Sequence, residues 1–298
     1  MNILVIGKNG QLATALAERC RLHQISAEFL GHENLPVTSM VELMERLEKS
    51  FLDAEPDVVI NTAAYTNVEM AEEETLSNYD INSRLPLCVA LMCCKKRKPL
   101  IHISTDFVFD GRKNGAYSED DVTNPLNAYG KAKLAGEEVV LQTGGRAIVI
   151  RTSWLFSRRR KNFITSIIRR LREGHDFKVV DDEVGAPTFA MDLAEVCLLI
   201  AGRIISEPGF KDWGVYNYSG TPNASRFEVA DFVRTVVLSS GLLSDCPNIE
   251  PVKAMELGFG VDRPKNSILD NSKIVKTFNV SRGSWKDEIR DNIMDYFM

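Results

Sequence analysis

The chain has 298 residues, 44% of them hydrophobic and 26% charged, a balance that suits a soluble globular protein with a large core and excludes a disordered or fibrous one. A net charge of -5 gives no electrostatic footprint for nucleic acid, and no apolar run is long enough to cross a bilayer, so neither nucleic acid nor membrane is an expected partner. The six cysteines (Cys20, Cys88, Cys93, Cys94, Cys197, Cys246) form no Cys-x-x-Cys pair and no cluster with histidine, which predicts buried thiols, a reducing compartment and no metal site.

Asn2-Ile-Leu-Val-Ile-Gly7 reads as a buried strand. It starts without a basic n-region or an apolar h-region, so no signal peptide and a cytoplasmic location are expected. Gly7, Gly10 and Ala13 follow in the pattern Gly-x-x-Gly-x-x-Ala, ahead of a helix to about Arg21. In such a turn the first glycine permits the bend and the second lets backbone approach a pyrophosphate, while the small third residue allows close helix–strand packing. The helix amino terminus then faces the phosphates. A second strand is predicted from Ile25 to Leu30. NAD-preferring sites usually carry an acid there for the ribose hydroxyls, whereas this chain has Gly31 and His32, with Glu33 one place late. That departure leans toward NADPH, with NADH as the alternative.

Glu42 to Phe51 has helical periodicity, and Pro56 to Asn61 is a third buried strand. It leads into Thr62-Ala-Ala-Tyr-Thr66, small enough for a cofactor to lie against backbone. The acidic run Glu69 to Glu74 reads as a solvated first helical turn rather than a metal site, and Asn82 to Lys98 as a helix with a basic end.

Pro99 to Glu138 carries the chemistry. A short apolar run ends in Ser104-Thr105-Asp106, as a buried parallel strand delivers polar groups at its carboxyl end. Asn127 to Glu137 is a helix with Tyr129 and Lys133 four residues apart, on one face. The lysine is expected to lower the phenol's pKa and suit it for proton transfer, with Thr105 hydrogen-bonding the same oxygen. Strand hydroxyl, tyrosine and lysine read as carbonyl reduction or alcohol oxidation.

Arg146 to Arg151 is a further strand. Strands alternating with helices predict an α/β, doubly wound parallel sheet of Rossmann-like form. After Arg151 the pattern loosens. Arg158 to Lys161 is a basic run, read as a solvated face or a contact to a substrate diphosphate. Helices are expected at about Asn162 to Glu173, Met191 to Ile205, Arg226 to Leu238 and Trp285 to Tyr296. These divisions give a dinucleotide-binding domain over 1–152, to which part of 189–217 returns. A smaller substrate lobe over 153–298 would cover the carboxyl edge of the sheet.

The chain resembles the extended short-chain dehydrogenase/reductases, and within them the dTDP-4-dehydrorhamnose reductase family. The resemblance lies in Gly7 to Leu12, Asn61 to Thr66, Ser104 to Gly111, Asn127 to Glu137, Arg151 to Trp154, Gly185 to Thr188 and Arg263 to Ser267, in order along nearly the whole chain. It implies that Thr105, Tyr129 and Lys133 are catalytic. Gly7, Gly10, Gln11, Leu12, Ala64, Tyr65 and Thr66 would line the cofactor, with Tyr129 and Lys133 also touching its nicotinamide ribose. Thr105, Asp106 and Trp154 would contact the sugar and Arg263 the diphosphate. The family commonly has glycine at Ala13, aspartate at Glu69 and glutamine at Glu183. The implied reaction is reduction of the 4-keto group of a nucleotide-linked deoxysugar, dTDP-4-dehydrorhamnose first among them. Two alternatives remain: a 4-epimerase, and an NADP-binding regulatory subunit like the methionine adenosyltransferase β subunit. A 4,6-dehydratase is disfavoured because Phe107 stands where those enzymes carry a second acid. A homodimer is left open.

Overall fold

The structure is a computed structural model that describes residues 1–298 except Arg159, Phe259 and Met298. Six parallel strands form the central sheet: β1 (Asn2–Ile6), β2 (Ser26–Leu30), β3 (Val58–Asn61), β4 (Leu100–Thr105), β5 (Ala147–Thr152) and β6 (Gly214–Asn217), in the order β6-β5-β4-β3-β1-β2. All but β2 and β6 are buried almost throughout, which explains their continuous apolar runs: helices cover both faces of a parallel sheet. The doubly wound expectation holds.

One face is packed by α1 (Gln11–Leu22), the other by α2 (Met40–Ala54), α3 (Leu85–Lys96) and α4 (Ala128–Gln142). The remaining labelled helices are α5 (Phe163–Glu173), α6 (Ala190–Ser206), α7 (Arg226–Ser239) and α8 (Trp285–Phe297). Helix α6 joins α1 in the core on the first face. A third core gathers α5, α7 and α8 around Trp285, beside three two-stranded pairs. The continuous helix expected from Asn82 starts instead at Leu85. A π-helical turn, Asp80–Arg84, precedes it, and Pro86 sits in its first turn, where a missing N–H costs nothing. Cys20, Cys88, Cys93 and Cys197 are buried, Cys94 is exposed and Cys246 is half-buried, all as free thiols. No helix among the described residues is long and apolar enough to cross a membrane.

The register brings the strand ends into line. Ile6 pairs with Leu30 and Asn61, and Thr105 pairs with Thr152, so the turns after β1, β3, β4 and β5 open on one edge. The strand order reverses between β1 and β3, which leaves a crevice there.

Helix α4 is fixed against this edge by a buried ion pair. Arg151 on β5 meets Glu137 with Nε 3.0 and 3.1 Å from the two carboxylate oxygens and Nη2 2.7 Å from Oε2. Their side chains are 6% and 2% exposed, so each charge depends on the other. Arg151→Met is expected to destabilise the fold by about 3–5 kcal/mol, because Glu137 would remain buried and unpaired. Urea unfolding midpoints of the two proteins check this.

Candidate active site

The turn after β1 is shaped by close backbone approach. Gly7 has φ 113°, and a Cβ there would come within 2.4 Å of Thr62 Oγ1, which donates to Ile6 O at 3.1 Å. Only glycine fits. Gly10 then caps α1 with extended backbone and no side-chain hydrogen bond, so the amino-terminal N–H groups of that helix are left for an anion. A cavity of about 910 Å³ begins at this turn, with Gly7, Gly10, Gln11 and Leu12 in its wall, and Ala64 and Thr66 across the crevice. It continues along the sheet edge past Thr105, Asp106, Tyr129 and Lys133 to Trp154, Arg226 and Arg263.

At the chemical end, Asn127 caps α4 by accepting from Gly130 N at 2.8 Å, and Glu72 accepts from Ala128 N at 2.7 Å. Gly130 is pressed against Phe107 O, 2.3 Å from where a Cβ would stand, and the Tyr129 ring meets Phe107 edge-on at 5.5 Å. Thr105 donates to Asp106 Oδ1 at 3.0 Å and accepts from Phe107 N at 3.3 Å. Lys133 donates to Ile103 O at 2.6 Å.

The electrostatics differ from expectation. Burial pushes the Tyr129 phenol up to about 12, partly offset by the Thr105 hydroxyl, while the nearby Asp106 carboxyl adds to the rise. Burial also pushes Lys133 down to about 8, against the pull of Glu137. Loss of solvent is the largest effect on both groups here, and it outweighs the lowering that a neighbouring cation gives a phenol. A phenol that keeps its proton at neutral pH is a donor, which is what carbonyl reduction requires. His102 lies beneath the site. Burial and Lys133 hold it well below its usual range, and its neutral Nδ1 lies 3.2 Å from Asn61 Nδ2. Burial raises Asp106 to about 6, opposed by Ser267, Thr105 and Arg226, and its Oδ2 has no hydrogen-bond partner of normal geometry among the described residues.

Tyr65 is the expected cofactor residue that does not line the cavity. Its phenol donates to Glu74 at 2.9 Å, while its backbone is gripped by Asn82 through N–H (3.1 Å) and C=O (2.9 Å). Asn82 also reaches Asn78, which donates to Ala128 O, so the turn after β3 is tied to the start of α4. A polar residue inside an apolar helical pattern was the only signal for this role. Gln11 likewise does more than line the wall: its amide bonds Leu155 O at 3.0 Å and accepts from Ser157 and Asn162. Arg263 lines the cavity and pairs with Glu69, a partner from the acidic run expected to be solvated. The basic run splits. Arg158 turns into Glu288 and Asp295 of α8, at 2.6 and 3.0 Å, and does not line the cavity; Arg160 and Lys161 line it, and Arg159 lies outside the described residues. Arg226 was not foreseen at all. It lies over Trp154 with its guanidinium 3.6 Å from the ring centroid, and burial pushes it down to about 10.

A glycine turn at the crevice of a doubly wound parallel sheet, with tyrosine, lysine and a strand threonine on one cavity, defines a protein of the short-chain dehydrogenase/reductase class. Within that class the chain belongs to the RmlD substrate binding domain family, whose model matches residues 1–298. It is 32% identical to a dTDP-4-dehydrorhamnose reductase of Aggregatibacter actinomycetemcomitans over 99% of this chain and 98% of that one. A reductase of the same name from Burkholderia thailandensis is 34% identical, with 96% of each covered. The crystal structure of the Bacillus anthracis dTDP-4-dehydrorhamnose reductase in complex with NADP superposes with a TM-score of 0.86 at 28% identity, over 98% of both chains.

Asp106 supplies a check on the site that needs no substrate. Its native pKa of about 6 lies above the unfolded value of 3.8, so the folded protein holds the extra proton and stability falls as pH rises from about 4 to about 6. Asp106→Asn is expected to flatten that slope and to raise stability at pH 7 by up to about 3 kcal/mol, measured by denaturation across pH.

Proposed function

We propose that this protein reduces the 4-keto group of a dTDP-linked deoxysugar, dTDP-4-dehydrorhamnose to dTDP-L-rhamnose, with NADPH as the preferred cofactor and NADH as a second. The observation that carries the reading is the buried, protonated phenol of Tyr129 beside Thr105 and Lys133, on the same cavity as the glycine turn. The family relationship and the reductases named above support it.

The residues present fit a dinucleotide. The uncapped amino terminus of α1 and the cations Lys8, Arg160 and Lys161 suit its phosphates. At the end of β2, the Glu33 carboxylate folds back over Gly31 between Lys8 (3.7 Å) and His32 (3.5 Å). The two basic groups suit a 2′-phosphate, and the carboxylate suits the free hydroxyls of NADH. When bound, the nicotinamide supplies a hydride to the carbonyl carbon.

Tyr129 gives its proton to the carbonyl oxygen as negative charge develops there. Thr105, which donates to Asp106 Oδ1 here, would turn its one proton to the same oxygen and orient it. Lys133, charged below about 8 and held by Ile103 O, stabilises the phenolate that Tyr129 becomes. Asp106, Trp154 and Arg263 line the part of the cavity that takes the sugar and diphosphate.

The test is absorbance-monitored oxidation of NADPH and NADH with dTDP-4-dehydrorhamnose. Tyr129→Phe is expected to lower turnover by about 100- to 10,000-fold while NADP⁺ affinity is largely kept. Near-normal turnover in that variant would remove the phenol from the mechanism. A wild-type protein that binds NADP⁺ and turns over no keto-sugar would point to the regulatory reading. The rate is also expected to fall as pH rises through about 8, where Lys133 loses its proton.

A further inference from the structure

Trp154 sits at a place the backbone does not favour. Its φ is 46°, in the left-handed region that bulky residues avoid unless their surroundings hold them. Gly185 lies so close to the indole that a Cβ there would stand 2.6 Å from Cε2 and 2.8 Å from Cζ2. Arg226, the first residue of α7, covers the ring at 3.6 Å from its centroid and also faces Phe163 at 5.1 Å.

The arginine is itself held. Its backbone N–H donates to Glu183 O at 3.2 Å, and its Nε lies 3.7 Å from Glu183 Oε2, an ion pair longer than a hydrogen bond. Glu183 is 6% exposed, so this carboxylate is committed to the wall and not to solvent. Neither residue is needed to move the proton or the hydride. A cation placed this deep against one aromatic face acts mechanically, because guanidinium stacking fixes a ring's plane in a way that an ammonium point charge does not.

We propose that Arg226, held by Glu183, is a positioning residue that fixes the Trp154 indole as the platform on which the sugar ring of the substrate rests, and so governs which sugars the cavity accepts. The sugar half of this inference rests on the reductase reading; the immobilised indole does not. Trp154 and Tyr129 share the cavity, so a tilt of the platform changes how the sugar presents its carbonyl to the phenol.

The experiment compares wild type, Arg226→Lys and Glu183→Gln. The Trp154 contribution to fluorescence is isolated by subtracting Trp154→Leu, which leaves Trp213 and Trp285 in place. Acrylamide quenching of that component is expected to rise about two-fold or more in Arg226→Lys, and less in Glu183→Gln, with NADP⁺ affinity unchanged. With dTDP-4-dehydrorhamnose, Arg226→Lys is expected to raise KM about ten-fold while kcat changes by less than about three-fold, and to add nothing in the Trp154→Leu background. Unchanged quenching in both variants would overturn the proposal. Additive KM effects would also overturn it, because Arg226 would then meet the substrate directly. If wild type turns over no keto-sugar, the reductase reading falls, and quenching alone still decides whether Arg226 holds the indole. Should Arg226→Lys fail to fold, the same comparison is read from Glu183→Gln.

Discussion

The buried pair of Glu137 and Arg151 sets the geometry on which the site depends. Helix α4 carries Tyr129 in its first turn and Lys133 one turn later, and Glu137 one turn further again. Anchoring Glu137 to β5 fixes the rotation of the helix about its own axis. The face carrying Lys133 is thereby turned toward the sheet, where it finds Ile103 O, while Gly136 lets the helix approach Asn82 O in the π-helical turn before α3. A rotated helix would strand two buried charges, so the arrangement has little freedom to slip.

Loss of solvent, more than pairing, then decides the protonation of the groups around the reacting position. Tyr129 is raised, Lys133 is lowered and Asp106 is raised by the same cause. Near neutrality this leaves a protonated phenol, a charged lysine and a mostly ionised carboxylate in one cavity. That combination suits delivery of a proton to an oxygen that is gaining charge. The cost of holding such groups out of water falls on the rest of the fold and its apolar cores.

Several side chains read as ligand contacts or as surface turn out to join parts of the chain. Gln11 links the turn after β1 to Leu155 and Asn162, and Arg158 clasps α8. Glu69 and Glu72 reach Arg263 and the start of α4. Sequence patterns assign such residues to surface or site by type alone. Their partners lie up to 194 positions away, and no local spacing encodes that distance.

The local rules of the chain settled the parallel sheet, the glycine turn and the shared face of Tyr129 and Lys133, because each depends on residues within a few positions: apolar runs, a φ that only glycine tolerates, and a four-residue helical repeat. The polar end of the fourth strand added Thr105, and family resemblance extended this to Asp106 and Trp154. The tertiary structure alone decided that Tyr65 turns to Glu74, that Arg158 leaves the cavity, and that Arg226 covers Trp154. It also decided the protonation states. A pKa shift by desolvation depends on how much protein surrounds a group from every direction, and that quantity exists only once the distant segments have packed.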